Sequence, residues 1–205
     1  DIKRVKALGF LNNKGTDCFN GRIITVNGKI TAKQNAAIAE AAEKFGSGTV
    51  VFTSRLTVEV PGVHYDNIEP FRAFLAQGGT GSKVRPVVAC KGTPCQYGLH
   101  DTFGLSEEIH ERFYKGYAGV KLPHKFKIAV GGCPNNCVKP DLNDLGIIGQ
   151  KVPRIDLDKC RGCKVCMRIG CPALSIKEGK ARVDSTLCVG CGVCQQLCAF
   201  DALKA

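Results

Sequence analysis

Residues 125–137 read Lys-Phe-Lys-Ile-Ala-Val-Gly-Gly-Cys-Pro-Asn-Asn-Cys, and this stretch predicts the centre of the fold. It begins with an alternation that is typical of a β-strand with one apolar and one polar face. The apolar positions are Phe126, Ile128 and Val130. Lys125 and Lys127 occupy the other face, and two glycines then allow the backbone to approach a bulky group before Cys133 and Cys137. Two ammonium groups close to two thiolates indicate an anionic substrate beside a metal centre. The alternative is a half-buried strand with solvated lysines and free cysteines.

The length and composition indicate a globular protein. A chain of 205 residues can hold one substantial core, or one medium and one small domain. No apolar run approaches the roughly 18 residues that a membrane-spanning helix requires. The first residues are charged and lack the apolar region of a signal peptide. We therefore expect no membrane span, no signal peptide and a cytoplasmic location.

The thirteen cysteines favour metal binding over disulfide bonds, because no signal peptide is predicted. The formal net charge of +11 would otherwise suggest a nucleic-acid partner. However, a [4Fe–4S] cluster with four thiolates carries a charge of about −2, so three clusters would offset about six positive charges. The sequence also has no long run of Lys and Arg. We therefore predict no nucleic-acid binding.

Eight of the cysteines form an internal duplication near the end of the chain. The two runs are Cys160-x2-Cys163-x2-Cys166-x4-Cys171-Pro172 and Cys188-x2-Cys191-x2-Cys194-x3-Cys198. Three cysteines separated by two residues can surround one cubane, and the remote fourth cysteine binds the other cluster. This rule predicts one [4Fe–4S] cluster on Cys160, Cys163, Cys166 and Cys198. It predicts a second cluster on Cys188, Cys191, Cys194 and Cys171.

A zinc-ribbon-like domain is the alternative for this duplication. Zinc sites use four ligands, and two triplets with exchanged fourth cysteines fit them poorly. The pattern instead resembles bacterial two-cluster ferredoxins over about residues 153–205, although the gap before Cys171 is four residues rather than the usual three. The resemblance implies a small domain that carries electrons between two clusters.

Four further cysteines occur as two pairs that could bind a third [4Fe–4S] cluster. The pairs are Cys90-x4-Cys95 and Cys133-x3-Cys137. The segment Gly-Gly-Cys-Pro-Asn-Asn-Cys, preceded by Leu-Pro-His-Lys-Phe-Lys, is similar to the sirohaem-dependent sulfite and nitrite reductases. In that family the first pair is usually separated by five residues rather than four. The resemblance implies that the cluster is bridged to the sirohaem iron through Cys137.

The same resemblance extends over about residues 18–150 and includes two arginines, Arg55 and Arg85. The sequence Thr-Ser-Arg-Leu around Arg55 looks like the family's Thr-x-Arg-Gln, with leucine in place of glutamine. It implies that Arg55 binds sirohaem carboxylates or substrate. Arg85 lies in the predicted strand before the first cluster cysteine and is a second candidate for cofactor binding. Arg22 is a further catalytic candidate. Surface salt bridges are the alternative for Arg22 and Arg55.

The sequence predicts an α+β protein with three domains. These are a ferredoxin-like half-domain (1–80), an α/β domain for sirohaem and one cluster (81–150), and a two-cluster ferredoxin fold (151–205). A glycine-rich joint is predicted at residues 78–82. Predicted helices cover residues 31–45, 67–77 and 106–117, the last with Ser106 as N-cap. Predicted strands cover residues 21–26, 49–53, 56–60, 84–90, 126–130 and 145–148, and a hairpin covers 173–183.

We expect the six-electron reduction of sulfite to sulfide on sirohaem, with electrons relayed through the ferredoxin clusters. Arginine binds oxyanions through its planar fork, and lysine is a compact charge and proton donor. The catalytic candidates are Arg55, Lys125, Lys127 and Arg22. Nitrite reduction to ammonia at the same site is the close alternative. A non-catalytic electron-transfer subunit is another, but it would have no use for an anion pocket.

The expected partners follow from this chemistry. Six electrons require an external low-potential electron donor. Larger reductases of this kind carry the unit twice, whereas this chain carries it once. A homo-oligomer or a partner subunit could complete the site, or the site could be unusually open. A redox or sirohaem sensor would need an output module such as a helix-turn-helix, and the sequence contains no recognisable one.

Overall fold

A computed structural model describes residues 2–75 and 84–204 of the chain. The predicted joint at residues 78–82 lies outside these residues. The described structure consists of an antiparallel sheet with helices, a parallel sheet, and a C-terminal group of two small sheets. The protein therefore mixes α and β structure, as the sequence predicted.

The first group is a four-stranded antiparallel sheet in the order β1-β2-β4-β3. Its strands are β1 (Phe10–Asn12), β2 (Cys18–Ile23), β3 (Val51–Phe52) and β4 (Val58–His64). Its helices are α1 (Ile2–Ala7), α2 (Ala32–Phe45) and α3 (Ile68–Leu75), and a 3-10 turn at Tyr65–Asn67 precedes α3. Twelve buried apolar residues form its core. Two of them, Phe10 and Phe71, meet edge to face with ring centroids 5.6 Å apart.

Helix α2 begins and ends where the sequence predicted. Thr31 Oγ1 accepts the backbone N–H of Gln34 at 3.1 Å, and Gln34 Oε1 accepts that of Thr31 at 2.8 Å. This capping box satisfies two amide groups that the start of a helix leaves unpaired. Gly46 is the C-cap. The buried Ala41 and Ala42 let the helix pack closely on the sheet.

The predicted strand at residues 56–60 is too short, because the observed strand also includes Pro61 and Gly62. Strand β4 continues through both residues to His64, and its register against β2 shifts between Phe19 and Gly21. The extra residues form a bulge, where a proline without an N–H costs no ladder hydrogen bond. The turn after β2 has Asn27 and Gly28 both at positive φ.

The second group is a three-stranded parallel sheet in the order β5-β6-β7. Its strands are β5 (Val88–Ala89), β6 (Ile128–Gly131) and β7 (Leu145–Ile148). Helix α4 (Thr102–Ile109) continues as a π-helix at His110–Lys115, and a 3-10 turn covers Pro140–Leu142. The bounds of β7 are those predicted. The predicted strand 84–90 is shorter, and Val84 forms an isolated bridge to Phe126.

The alternation predicted for residues 126–130 is wrong within β6. All four residues of the strand are buried, including Ala129 on the supposed polar side. Strand β6 is the middle strand of a parallel sheet, and such strands are covered on both faces. Phe126, which was expected to be buried, is 39% exposed. Lys125 and Lys127 lie before the strand and are exposed.

Helix α4 starts four residues before the predicted start, so Ser106 is not its N-cap. The cap is Asp101, whose carboxylate accepts the backbone N–H groups of Phe103 and Gly104 at 3.1 and 3.0 Å. Ser106 is fully buried, and its hydroxyl donates to the carbonyl of Thr102 one turn earlier at 2.6 Å. A buried serine inside a helix satisfies its hydroxyl in this way.

The C-terminal group consists of two small antiparallel sheets. Their strands are β8 (Arg154–Ile155), β9 (Leu174–Lys177), β10 (Lys180–Val183) and β11 (Leu203–Lys204). A 3-10 helix at Val165–Ile169 and helix α5 (Val193–Gln196) each carry cluster-type cysteines. The predicted hairpin is present as β9 and β10, joined by Glu178 and Gly179 at φ 54° and 71°.

Candidate iron–sulfur and anion-binding site

Cys90 and Cys133 follow the carboxyl ends of two neighbouring parallel strands, β5 and β6. The backbone N–H of Cys90 donates to the carbonyl of Val130 at 3.0 Å, which continues the pairing of the two strands. The backbone N–H of Gly132 donates to Cys90 Sγ at 3.1 Å. The sheet therefore brings the first cysteine of one pair next to the residue that precedes the first cysteine of the other.

Two glycines allow this close approach. A Cβ atom on Gly132 would lie 2.9 Å from the Cα of Gly92, and one on Gly92 would lie 3.0 Å from the Cα of Gly132. Real Cβ atoms do not approach a backbone atom so closely without displacing it. Gly92 and Gly132 are therefore both needed for contact between the two cysteine loops.

The N-terminus of α4 holds the loop between Cys90 and Cys95. Thr102 Oγ1 donates to the carbonyl of Cys90 at 2.9 Å and accepts the N–H of Thr93 at 3.1 Å. Thr93 Oγ1 donates to the Asp101 carboxylate at 2.6 Å. Hydrogen bonding from Thr93, and then from the Gly104 N–H, lowers the pKa of Asp101. The capping carboxylate is therefore charged at neutral pH, and it fixes both the helix and the cysteine loop.

Cys137 is the exposed member of the four cysteines predicted to bind this cluster. Asn136 before it has a left-handed backbone, φ 55°, and its Nδ2 donates to the Asp141 carboxylate at 2.6 Å. Its Oδ1 is buried and has no hydrogen-bond partner among the described residues. The exposed thiol agrees with a position next to a further group, and its role as a bridge remains a prediction.

The duplicated cysteines come together in the two sets that the spacing predicts. Burial raises the pKa of Cys166, and the neighbouring thiols of Cys163, Cys160 and Cys198 raise it further. Burial likewise raises the pKa of Cys194, with further contributions from Cys188, Cys191 and Cys171. The first set also lines one cavity. Cys198 therefore lies near the first triplet, and Cys171 lies near the second.

The ligand type of these sets fits an iron–sulfur cluster. No three His, Cys, Asp or Glu residues within 2–75 and 84–204 are arranged to hold one metal ion. In a cubane each thiolate binds a different iron, so the four ligands stand further apart than around zinc. The donor sets consist of cysteines alone, which is the ligand type of a [4Fe–4S] cluster. The residues present therefore fit such clusters.

Arg55 reaches from the first sheet to the second. It lies in the turn between β3 and β4, and its guanidinium donates to Asn143 Oδ1 at 3.1 Å and to the carbonyl of Pro86 at 2.8 Å. Its Nε is buried and unpaired among the described residues. Burial lowers the pKa of Arg55, and the positive charge of Arg85 lowers it further. The alternative of a surface salt bridge does not describe Arg55.

Arg85 lies between the two other arginines. Burial lowers its pKa, and the charge of Arg22 lowers it further. Arg22 forms a half-buried salt bridge with Glu59, with Nη2 2.5 Å from Oε1, so its charge is already compensated. No salt bridge involves Arg85 within the described parts of the chain. Among the described residues only Arg22 of the three forms a salt bridge, and the nearby Asp144 carboxylate acts on Arg55 by opposing the decrease in its pKa.

The two lysines lie at the opposite end of β6 from the cysteines. The backbone N–H of Lys127 donates to the Asp144 carboxylate at 2.8 Å, which fixes the start of the strand. The carbonyl of the next residue, Ile128, lies 3.5 Å from Arg55 Nη2. Arg55 and Lys127 thus belong to one end of the sheet, and Cys90 and Cys133 to the other.

Comparison with known proteins identifies the family. Residues 80–193 match the nitrite and sulphite reductase 4Fe-4S domain, and residues 12–78 match the nitrite/sulfite reductase ferredoxin-like half domain. The chain belongs to the nitrite and sulphite reductase family. This family consists of oxidoreductases that contain iron–sulfur centres, and its ferredoxin-like half domain corresponds to the antiparallel sheet described above.

Relatives within the family support this assignment. One subunit of the anaerobic sulfite reductase of Salmonella typhimurium is 33% identical over 173 residues, which cover 69% of this chain and 48% of that protein. Coenzyme F420-dependent sulfite reductase of Methanocaldococcus jannaschii is 38% identical over 138 residues, 64% of this chain and 22% of that protein. The chain thus spans about half or less of the length of these curated relatives.

Solved structures agree on the fold. The crystal structure of dissimilatory sulfite reductase I superposes with a TM-score of 0.61 and 20% identity, and the match covers 91% of this chain and 51% of that one. At this identity the likeness establishes the fold of the family. Within the described residues, no helix is both long enough and apolar enough to cross a membrane.

Sequence reasoning missed three residues that surround the arginines of this site. Glu59 pairs with Arg22, and Asn143 binds Arg55. Tyr114 lies near Arg22 and Arg85, and burial raises the pKa of its phenol. No local motif marks these positions, because the three belong to different elements that meet only through tertiary packing.

Proposed function

We propose that the chain forms the catalytic part of a sirohaem-dependent sulfite reductase, which reduces sulfite to sulfide with six electrons. The observation that carries this proposal is Arg85, a partly buried arginine flanked by two further arginines and without a carboxylate of its own. Keeping several guanidinium groups together away from water is unfavourable unless an anion joins them. Sirohaem carboxylates and sulfite are such anions.

The residues of the arginine site fit a polycarboxylate. Arg55 retains a buried Nε–H without a partner, and Arg85 has a whole guanidinium free of salt bridges among the described residues. Arginine binds carboxylates through two parallel N–H groups, so both side chains can hold propionate- or acetate-type groups. When bound, sirohaem supplies the iron that takes the substrate and passes electrons to it. Cys90, Cys95, Cys133 and Cys137 would hold the neighbouring cluster, which would supply electrons, and Cys137 is the exposed member of the four.

Lys125 and Lys127 are proposed to supply positive charge and protons to the reacting anion. Six protons accompany the six electrons, because the three oxygens of bisulfite must leave as water while sulfur becomes hydrosulfide. An ammonium group at hydrogen-bond distance from a departing oxygen stabilises its growing charge and can protonate it. Both lysines are exposed in the single chain, so they are accessible to a substrate.

A second polypeptide, preferably another copy of this chain, is proposed to complete the site. The arginines and lysines lie at the amino end of β6, and the cysteines follow its carboxyl end. Four strand residues span about 10 Å, so one chain separates its anion-binding residues from its candidate cluster by at least that length. Two copies related by a twofold axis could bring the cationic end of one against the cysteine end of the other.

The test is an optical spectrum of anaerobically purified protein, with iron and sulfide counts and a sulfite titration. Haem-type bands that shift with sulfite and return on reduction, together with about twelve irons in clusters per chain, are the expected result. Arg85→Gln should weaken sirohaem retention, whereas Lys33→Gln on the exposed face of α2 should not. Iron–sulfur absorption alone, after reconstitution with sirohaem, would contradict the proposal and favour an electron-transfer subunit.

Nitrite is the second candidate substrate, because the same cations suit it and its reduction to ammonia also takes six electrons. The family matched by residues 80–193 includes reductases of both anions. Steady-state rates with sulfite and nitrite, measured with the same small-molecule reductant, rank the two. A kcat/KM for nitrite at least tenfold above that for sulfite would reverse the preferred order.

A further inference from the structure

The duplicated cysteine runs provide an internal comparison, because both triplets have identical spacing. Each residue of the first triplet therefore has a counterpart 28 positions later in the second. The residues between and after the cysteines of the first triplet include Arg161, Lys164 and Arg168. Their counterparts are Val189, Gly192 and Gln196. The two candidate clusters thus share a ligand frame, but three positive charges surround only the first.

These three cations are accessible. Arg161, Lys164 and Arg168 are all exposed, as is the thiol-bearing residue Cys163 between them. None of the three forms a salt bridge with another described residue. Arg161 and Lys164 also line the cavity of the first cysteine set. We call Arg161, Lys164 and Arg168 the cationic face.

Lys164 occupies a backbone conformation that favours glycine. Its φ is 62°, and its counterpart in the second triplet is Gly192 with φ 76°. A side chain in the left-handed region is conformationally unfavourable compared with glycine. The first triplet nevertheless has a lysine at this position. Compared with glycine, Lys164 adds an exposed positive charge at this position.

The second triplet contacts the segment that leads to the reductase sheet. A Cβ atom on Gly190 would lie 2.8 Å from the backbone nitrogen of Lys151. Gly149, two residues earlier, donates its N–H to the carbonyl of Gly131 at 2.9 Å, and Gly132 donates to Cys90 Sγ. The corresponding glycine of the first triplet, Gly162, faces the carbonyl of Gly179 in its own hairpin. Among the described residues, the close approach of Gly190 to Lys151 and the two hydrogen bonds that follow it therefore form a short path from the second triplet to the Cys90 loop.

We propose that the cationic face docks an acidic one-electron carrier protein, and that electrons enter the chain at the first cysteine set. One electron leaves the carrier, which is oxidised, and reduces the cluster on the first set without any bond being made or broken. It then passes to the second set and onward to the Cys90 loop. This last step rests on the proposed function, whereas docking does not. Opposite charges on two protein surfaces accelerate association and orient the partners.

The test uses the cluster-loaded full chain and an acidic two-[4Fe–4S] ferredoxin as the probe. The variant R161Q/K164Q/R168Q removes the cationic face. The control K14Q/K33Q/K121Q removes three exposed lysines elsewhere, so the net charge of the two variants is identical. Isothermal titration at several salt concentrations gives Kd, and anaerobic stopped-flow absorption gives the rate of cluster reduction.

At low salt we expect the face variant to bind the ferredoxin at least tenfold more weakly and to be reduced by it at least tenfold more slowly. Its Kd should also depend less on salt than that of the unmodified chain. The control should stay within about threefold. Reduction by methyl viologen, a small cation that needs no cationic docking site, should be equal in all three proteins.

Equal losses in the face variant and the control would overturn the proposal, because total charge rather than this face would then matter. Undetectable binding of the ferredoxin to the unmodified chain, or tighter binding of a DNA duplex to the face, would overturn it as well. If the triple variant loses iron, Kd and the rate of cluster reduction are compared instead for the single variants Arg168→Gln and Lys164→Gln. Failure to reduce sulfite with methyl viologen would refute the proposed function and leave the docking result intact.

Discussion

The first and last groups of the protein differ in what their interiors contain. Within residues 2–75, twelve buried apolar residues form a continuous core, and none of them is a cysteine. Within residues 154–204, the core comprises seven buried residues, and three of these are the candidate ligands Cys160, Cys166 and Cys194. The first group can be stable through apolar burial alone. The last has so little apolar interior that bound clusters must contribute much of its stability.

Removal of iron should produce the largest difference in stability between the first and last groups. Oxidative destruction of the clusters followed by chelation should abolish nearly all protection of the backbone amides from hydrogen exchange in residues 154–204. The reason is that cluster binding supplies most of the free energy that keeps this group folded. Protection in residues 32–45 should remain. Hydrogen exchange read by mass spectrometry measures both regions in one sample. Persistent protection of β9 and β10 after complete iron loss would show that the small sheets fold without clusters.

The reverse experiment damages the apolar core. Phe71→Ala removes a ring that is 3% exposed, and it should lower the free energy of unfolding of the first group by about 3–5 kcal/mol. Phe74→Ala is the control, since that ring is 37% exposed and should cost about 1 kcal/mol. Chemical denaturation followed by circular dichroism measures the loss. Cluster absorption should be unaffected by either change, and a parallel loss of iron would mean that the groups do not unfold separately.

A single methyl group should affect the first cysteine set. A Cβ on Gly162 would overlap the carbonyl oxygen of Gly179, whereas one on Gly170 would meet nothing within 4 Å, and both glycines have φ 65°. Gly170→Ala should therefore cost about 1 kcal/mol of backbone strain. Gly162→Ala should cost about 2–3 kcal/mol, because the hairpin must also move. The measurements are iron content and the midpoint temperature of cluster loss. Equal midpoint temperatures for the two variants would exclude a steric clash at Gly162.

The smallest expected effect is a gain. Lys164→Gly should relieve a left-handed side chain and stabilise the C-terminal group by about 1 kcal/mol. Glu178→Gly, with φ 54° in the hairpin turn, is the matched control and should stabilise by a similar amount. Only the lysine change should weaken binding of an acidic ferredoxin. A loss of stability in Lys164→Gly alone would assign its side chain a structural role.

The sequence predicted those features that depend on neighbouring residues. The capping box at Thr31 and Gln34, the hairpin at Glu178-Gly179 and strand β7 agree with the structure. The two cysteine sets also come together as the spacing rule requires, although their cluster content remains a prediction. In each case a short pattern contains all the groups that stabilise the feature.

The features that sequence reasoning missed depend on distant packing. The alternation before Cys133 did not reveal that β6 is covered on both faces, because coverage depends on β5, β7 and the helices beside them. The start of α4 is an exception, because Asp101 caps it through the neighbouring N–H groups of Phe103 and Gly104, a local signal that sequence reasoning overlooked. The central position of Arg85 likewise arises only when three separate segments meet.

Strand β6 has a consequence for how such proteins can change in length. Its four residues join Lys127, at one end, to the turn that presents Cys133 at the other. Insertion or deletion of one residue would reverse the direction of every later side chain and move the two ends by about 3.3 Å. The exposed loop at residues 116–121 carries no comparable constraint and can accept insertions. Natural length variation should therefore accumulate in that loop, and β6 should keep four residues even where its side chains differ.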